Sequence, residues 1–151
     1  MPELAARAGV TVAVENMFPL HVAGRAMTFH AGQDLAELEG LEDLVLDTSH
    51  AAVAGHDLVD LRRRLNGRIR HVHLSDNAGK GWDSHLPPGD GVLPLDAFLH
   101  DLAASGYDGS VSLEVDLRRS LTDAGRLRSV MTSMRERLEG RLAVEQIPAR
   151  T

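Results

Sequence analysis

Four short runs of β-forming residues, at 10–14, 44–46, 69–74 and 111–115, recur along a chain of 151 residues, and each precedes a segment of helical character. After the second run Leu58, Leu61 and Leu65 return at helical spacing, and Gly67 marks the stop. After the third, Leu95, Phe98, Leu99 and Leu102 do the same up to Gly106, and after the fourth the spacing predicts an Arg-rich helix over 121–138. The first run leads into a loop through Pro19 and Gly24 and then a short helix near 34–39. Strands alternating with helices imply a parallel α/β sheet. Residues 2–8 read as the end of a helix whose own strand would lie before them. A domain over 1–138 is expected, followed by a flexible tail over 139–151.

Side chains along a strand alternate between the two faces of a sheet. Val10, Val12 and Val14 share one face, as do Leu44 with Leu46, Val72 with Leu74, and Val111 with Leu113 and Val115. The opposite face carries Thr11, Ala13 and Glu15, then Val45 and Asp47, then His71 and His73, then Ser110, Ser112 and Glu114. An open doubly wound sheet is covered on both sides and needs both faces apolar. A barrel fits better, apolar toward its helices and polar inside near the C-terminal ends of its strands. Eight β/α units take about 250 residues, so four strands amount to half of such a barrel.

The strand ends, in order, are Glu15, Asp47, His73 and Glu114, all on the face away from the helices. The loops add His50, three residues after Asp47, and Asp83 with His85. Cysteine is absent, so any metal site draws on His, Asp and Glu, the ligands suited to Mn, Mg, Co or Zn. One acidic strand end does no more than cap a helix; four of four on one face form a metal-site pattern. His71 lies one layer deeper than His73 and is expected to be a hydrogen-bonded support rather than a ligand. His21, His30, His56 and His100 have no companions at ligand spacing. Gly79, Gly81, Gly89 and Gly91 let the loop between 75 and 93 turn sharply. Arg118 or Arg119, just past Glu114, is a candidate for holding a substrate phosphate.

The net charge of −6 gives no electrostatic help toward nucleic acid. No run of 18 apolar residues and no signal-like N-terminus is present, so a cytoplasmic protein without a membrane span is expected.

The stretches "VAVENM", "LVLDTSHAAVAGHD", "IRHVHLSDN", "DSHLPPGDG" and "VSLEVD" resemble the xylose isomerase-like TIM barrel superfamily. That group joins sugar (phosphate) isomerases and epimerases with endonuclease IV-type enzymes of AP endonuclease family 2. The resemblance covers roughly residues 1–120 and corresponds to the C-terminal half of the barrel. It implies that Glu15, Asp47, His73 and Glu114 hold one divalent metal and that Glu15 and Glu114 are the catalytic proton carriers. It implies that His50 contacts substrate. Asp83 and His85 match further zinc ligands of the nucleases, where His50 is a ligand too, and in an isomerase they would line the substrate site.

Three functions follow from that resemblance. The first is a metal-dependent isomerase or epimerase of a small sugar or sugar phosphate. The second is a zinc phosphodiesterase acting on abasic DNA, disfavoured by "AVENMF" and "LEVD", which look more like the isomerase branch. The third is an inactive fragment, or a half barrel completed by a second copy or by a missing N-terminal half.

Overall fold

A computed structural model describes residues 2–23, 25–118 and 123–143. Its centre is a parallel four-stranded sheet in the order β1 (Val14–Glu15), β4 (Leu44–Asp47), β5 (Ile69–Leu74) and β6 (Ser110–Leu113). Helices return the chain between strands: α2 (Leu35–Glu39), α3 (Thr48–Val53) with α4 (Leu58–Arg64), and α5 (Leu95–Ala104). The long α6 (Ala124–Ala143) follows β6, and α1 (Pro2–Ala8) precedes β1. This is half of a (β/α)₈ barrel, as the alternation of faces implied.

The core lies between the sheet and its helices. Leu44, Leu46, Val72 and Leu74 meet Leu58, Leu61 and Leu65, with Phe98, Leu99 and Leu102 completing one cluster. These are the helical-period and strand-parity residues of the sequence, and removing their apolar surface from water supplies most of the driving force. A bulge between Leu44 and Val45 makes Leu44 face Ile69 and Val45 face His71. The extra residue, Arg70, points to solvent and pairs with Asp43 at 2.6 Å, while Ile69 joins the core.

Several boundaries differ from the sequence expectation. Only Val14 and Glu15 of the first run pair, because β4 offers partners only from Leu44 onward. Val10 and Val12 are therefore exposed, at 57% and 54%. The expected loop after Glu15 contains an antiparallel hairpin, β2 (Leu20–Val22) with β3 (Arg25–Met27). The short α3 begins directly after Asp47, a helix that six residues of mixed polarity do not announce. β6 ends at Leu113, so Glu114 sits one position beyond it, with its amide donating to the Leu74 carbonyl at 3.1 Å. The last helix starts at Ala124 and runs through the first part of the expected tail to Ala143; residues 144–151 lie outside the described ones. Among the described residues the outer edges of β1 and β6 have no strand partner. No helix among them is long and apolar enough to cross a membrane.

Candidate metal centre

Parallel strands in register bring their C-terminal ends to one rim. Asp47 aligns with His73, and His73 with Ser112, so Glu114 comes up beside the same point from the far side. Glu15 arrives from the opposite edge of the sheet. One ligand-capable atom from each of Glu15, Asp47, His73 and Glu114 lies within 4.8 Å of every other. His73 Nδ1 is the hub, 3.0 Å from Glu15 Oε1, 2.6 Å from Glu114 Oε2 and 4.0 Å from Asp47 Oδ2. Ligand atoms about 2.0–2.2 Å from a metal stand some 3–4 Å from each other, so small side-chain rotations suffice for coordination.

Asp47 tests the fit. It is 0% exposed, and its Oδ1 accepts from the His50 amide at 2.7 Å, which caps α3. Its Oδ2 is buried with no hydrogen-bond partner. Burial lifts its pKa above the usual carboxylate range, although the His50 amide and the charges of His50 and His85 pull the other way. A buried carboxylate oxygen without a proton donor is costly unless a cation meets it. One oxygen of Asp47 thus caps the helix, and the other is left where a cation could meet it.

A second group adjoins the first. Asp83 Oδ2 lies 3.3 Å from His50 Nε2 and 2.8 Å from His85 Nε2. The two imidazoles stand nearly perpendicular, with centroids 5.4 Å apart, and the Phe18 ring lies edge-on to His50 at the same separation. His50 Nδ1 faces the Asn16 carbonyl at 3.0 Å and His85 Nδ1 faces the Glu114 carbonyl at 3.0 Å. A carbonyl oxygen only accepts, so both rings carry a proton on Nδ1, and in the neutral form both turn an Nε2 lone pair toward one carboxylate. Burial alone would lower the His85 pKa. The charges of Asp47 and Asp83, the Glu114 carbonyl and the Glu114 charge outweigh it, leaving the pKa above the usual histidine value. The His85 backbone sits at φ 37°, a region sparsely used by residues with a side chain. It is held there by the paired backbone hydrogen bonds of Asp76 with Leu86, both 2.8 Å, and by the Asp116 amide donating to the His85 carbonyl at 2.7 Å.

The structure therefore brings all seven candidate residues, Glu15, Asp47, His50, His73, Asp83, His85 and Glu114, to one rim. His71 is half-buried below them, its two ring nitrogens 2.6 and 2.9 Å from the hydroxyls of Ser110 and Ser112, and its ring is edge-on to His73. Burial, with the nearby His73 charge, lowers its pKa, as suits a neutral support. Among the described residues His30, His56 and His100 join neither group; the His21 side chain lies outside the described ones. Arg118 is paired with the Asp116 carboxylate at 2.6 Å, and Arg119 lies outside the described residues.

Six residues given no role from sequence build the scaffold: Asn16, Thr48, Ser49, Ser75, Asp76 and Asn77. The Ser49 hydroxyl donates to Asp83 Oδ1 at 2.6 Å and accepts from the Asn77 amide at 2.9 Å, tying the loop to α3. Thr48 clasps Ser75 by donating to its carbonyl at 2.7 Å and accepting from its amide at 3.0 Å. Asp76 accepts from the amides of Asn77, Leu93 and Gly89 at 2.8–2.9 Å and so fixes the loop's turns. Asn16 clasps Asp47 in the same manner as Thr48 clasps Ser75. Gly91 is required for a different reason than a sharp turn: a Cβ there would run into the Asp76 carboxylate and the Asn77 carbonyl.

Comparison with known proteins places this rim in context. The family model described as "Xylose isomerase-like TIM barrel" matches residues 1–137. The chain is 38% identical over 134 residues to an uncharacterised protein of Mycobacterium tuberculosis, covering 74% of this chain and 47% of that one. It is 31% identical over 122 residues to the inosose isomerase of Halalkalibacterium halodurans, covering 76% and 43%. A solved xylose isomerase domain protein from Alicyclobacillus acidocaldarius superposes with a TM-score of 0.61 at 30% identity, over 93% of this chain and 53% of that one. The chain thus spans about half the length of the curated relatives it matches.

Proposed function

This chain belongs to the xylose isomerase-like TIM barrel family, and on that footing we propose that it serves a sugar isomerase or epimerase reaction at the Glu15, Asp47, His73 and Glu114 rim. The observation that carries the proposal is the buried, unpartnered Asp47 Oδ2, set among three further ligand groups. A divalent ion held there (Mn, Mg, Co or Zn) supplies the Lewis acid that makes a carbon-bound proton beside a ketose carbonyl acidic. Glu15 ends one outermost strand of the sheet and Glu114 directly follows the other, so their carboxylates approach the rim from opposite edges. One takes the proton from carbon and the other returns it at the neighbouring position or the opposite face. His50, Asp83 and His85 line the side of that rim and present hydrogen-bonding groups to the substrate hydroxyls. Four further β/α units, from a second copy or an N-terminal half, are needed to wall in the substrate.

The test uses the metal-loaded protein in deuterium oxide with a panel of ketoses. Exchange of a carbon-bound proton is expected, detected by the loss of its NMR signal. No exchange with any ketose from the walled-in, metal-loaded barrel removes this reading.

A second reading rests on the two imidazoles that turn Nε2 toward Asp83. The same two rings and Asp47 form a second group whose ligand-capable atoms lie within 4.8 Å of one another, which suits a second cation, and a multi-ion centre suits phosphodiester hydrolysis. Cutting of an abasic duplex, dependent on Asp83 and His85 and without proton exchange in any ketose, would favour it.

A further inference from the structure

We propose that Asn16 is a positioning residue whose side chain sets the Asp47 ligand. This rests on the metal reading above, but one of its readouts does not need metal.

The need for such a residue begins with β1. It is only two residues long, pairs on one side only, and ends at Glu15. Regular pairing carries one step further, with the Asn16 amide donating to the Val45 carbonyl at 3.2 Å. Beyond that point the chain turns away into the hairpin, and Asp47 at the end of β4 would lose its neighbour. The Asn16 side chain takes that neighbour's place. Its Oδ1 accepts from the Asp47 amide at 2.7 Å, and its Nδ2 donates to the Asp47 carbonyl at 3.1 Å. A primary amide offers a donor and an acceptor at the spacing of a peptide group, so it imitates one rung of the sheet. The pair is buried, Asn16 being 3% exposed, and water cannot substitute freely.

Two consequences converge on the rim. The Asp47 backbone is held on both its polar groups, which aims the side chain: Oδ1 stays on the His50 amide and Oδ2 points at the other ligands. The main-chain carbonyl of Asn16, held in place by the same clasp, accepts from His50 Nδ1 at 3.0 Å, which leaves Nε2 to face Asp83 and the site. Asn16 thus joins Glu15, its chain neighbour, to Asp47 and His50 across more than thirty residues of sequence. Its side chain reaches no ligand atom of the rim and acts through its neighbours.

Mn²⁺ affinity of the whole chain is measured by calorimetry for wild type, Asn16→Ala, Asn16→Asp and Leu102→Ala. Losing a group that orients ligands typically weakens metal binding about 10–100-fold, and that is expected of Asn16→Ala. Asn16→Asp keeps the acceptor for the Asp47 amide but turns the donor into a second oxygen facing the Asp47 carbonyl, so its affinity reports on the lost donor if the alanine variant fails to fold. Leu102 is buried in the core between the sheet and its helices, outside the site, and its alanine variant should lower the melting temperature while keeping affinity within about twofold. The second readout is hydrogen exchange of the Asp47 amide in the metal-free protein, which donates to Asn16 Oδ1: it should be protected in wild type and exchange faster in Asn16→Ala. Unchanged affinity and an unchanged Asp47 amide in the folded Asn16→Ala variant would overturn the proposal. If wild type binds no Mn²⁺, the metal reading falls, and the Asp47 amide alone decides on Asn16: an amide that exchanges as fast in wild type as in Asn16→Ala sinks it.

Discussion

Asp47→Asn is expected to abolish metal binding while making the metal-free protein more stable at neutral pH. The two effects have one cause. Asp47 is fully buried, one of its oxygens has no donor, and burial raises its folded-state pKa above that of an ordinary aspartate. A group with a raised folded pKa contributes stability that is complete below its unfolded pKa and is lost as pH rises through the folded one. In the metal-free protein this contribution therefore declines from the ordinary carboxylate range upward. Asparagine keeps the oxygen that caps His50 and carries no charge, so it escapes that decline. A divalent ion reverses the sign, because it binds only the ionised carboxylate, and its stabilisation should grow with pH. At about 100 times its dissociation constant an ion adds roughly 2.7 kcal/mol to wild type by mass action, and it should add nothing to the variant. Thermal melts with and without Mn²⁺, over a pH series, check both parts. A metal-dependent rise that survives Asp47→Asn would remove Asp47 from the centre.

The second large effect is expected at Asp76, which touches no ligand of the metal rim. Its carboxylate accepts from three backbone amides, those of Asn77, Gly89 and Leu93, and it is 2% exposed. Asp76→Ala removes the acceptor of all three donors beneath the loop that carries Asp83 and His85, and only the Asn77 bond is fully buried. A buried unsatisfied group costs about 1–3 kcal/mol, so a loss in that range is expected in urea unfolding. Asp76→Asn retains an oxygen for the Asn77 and Leu93 amides and forfeits only the Gly89 bond, so it should lose about a third as much. Hydrogen exchange locates the damage, with the Gly89 and Leu93 amides deprotected first. An alanine variant within about 0.5 kcal/mol of wild type would mean that the loop is held by something else.

The half-barrel architecture was legible because two periodicities agree. Leucines at helical spacing mark α4 and α5, and period-two alternation separates a helix-facing side from an interior side in every strand. The same alternation placed Glu15, Asp47, His73 and Glu114 on one face, and parallel register then brings strand ends together whatever the loops do. What escaped notice is local or conditional. Residues 10–13 have the composition of a strand, yet a strand needs a partner, and β4 starts only at Leu44. The hairpin at Leu20–Met27 lacks the Asn-Gly type of turn that announces one, and its turn residue Ala23 takes φ 49° without being glycine.

The sequence by itself determined which residues are candidates to carry chemistry and to which face of the sheet they belong, because side-chain type and strand parity are properties of the chain. The tertiary structure alone decided how those residues are held. Asn16, Thr48, Ser49, Asp76 and Asn77 are ordinary polar residues in the sequence, and each acquires its role from a partner on another element or across a loop turn. Hydrogen bonding explains the difference. A side-chain amide or carboxylate satisfies whichever backbone group the fold buries beside it, and no spacing in the sequence says which group that will be.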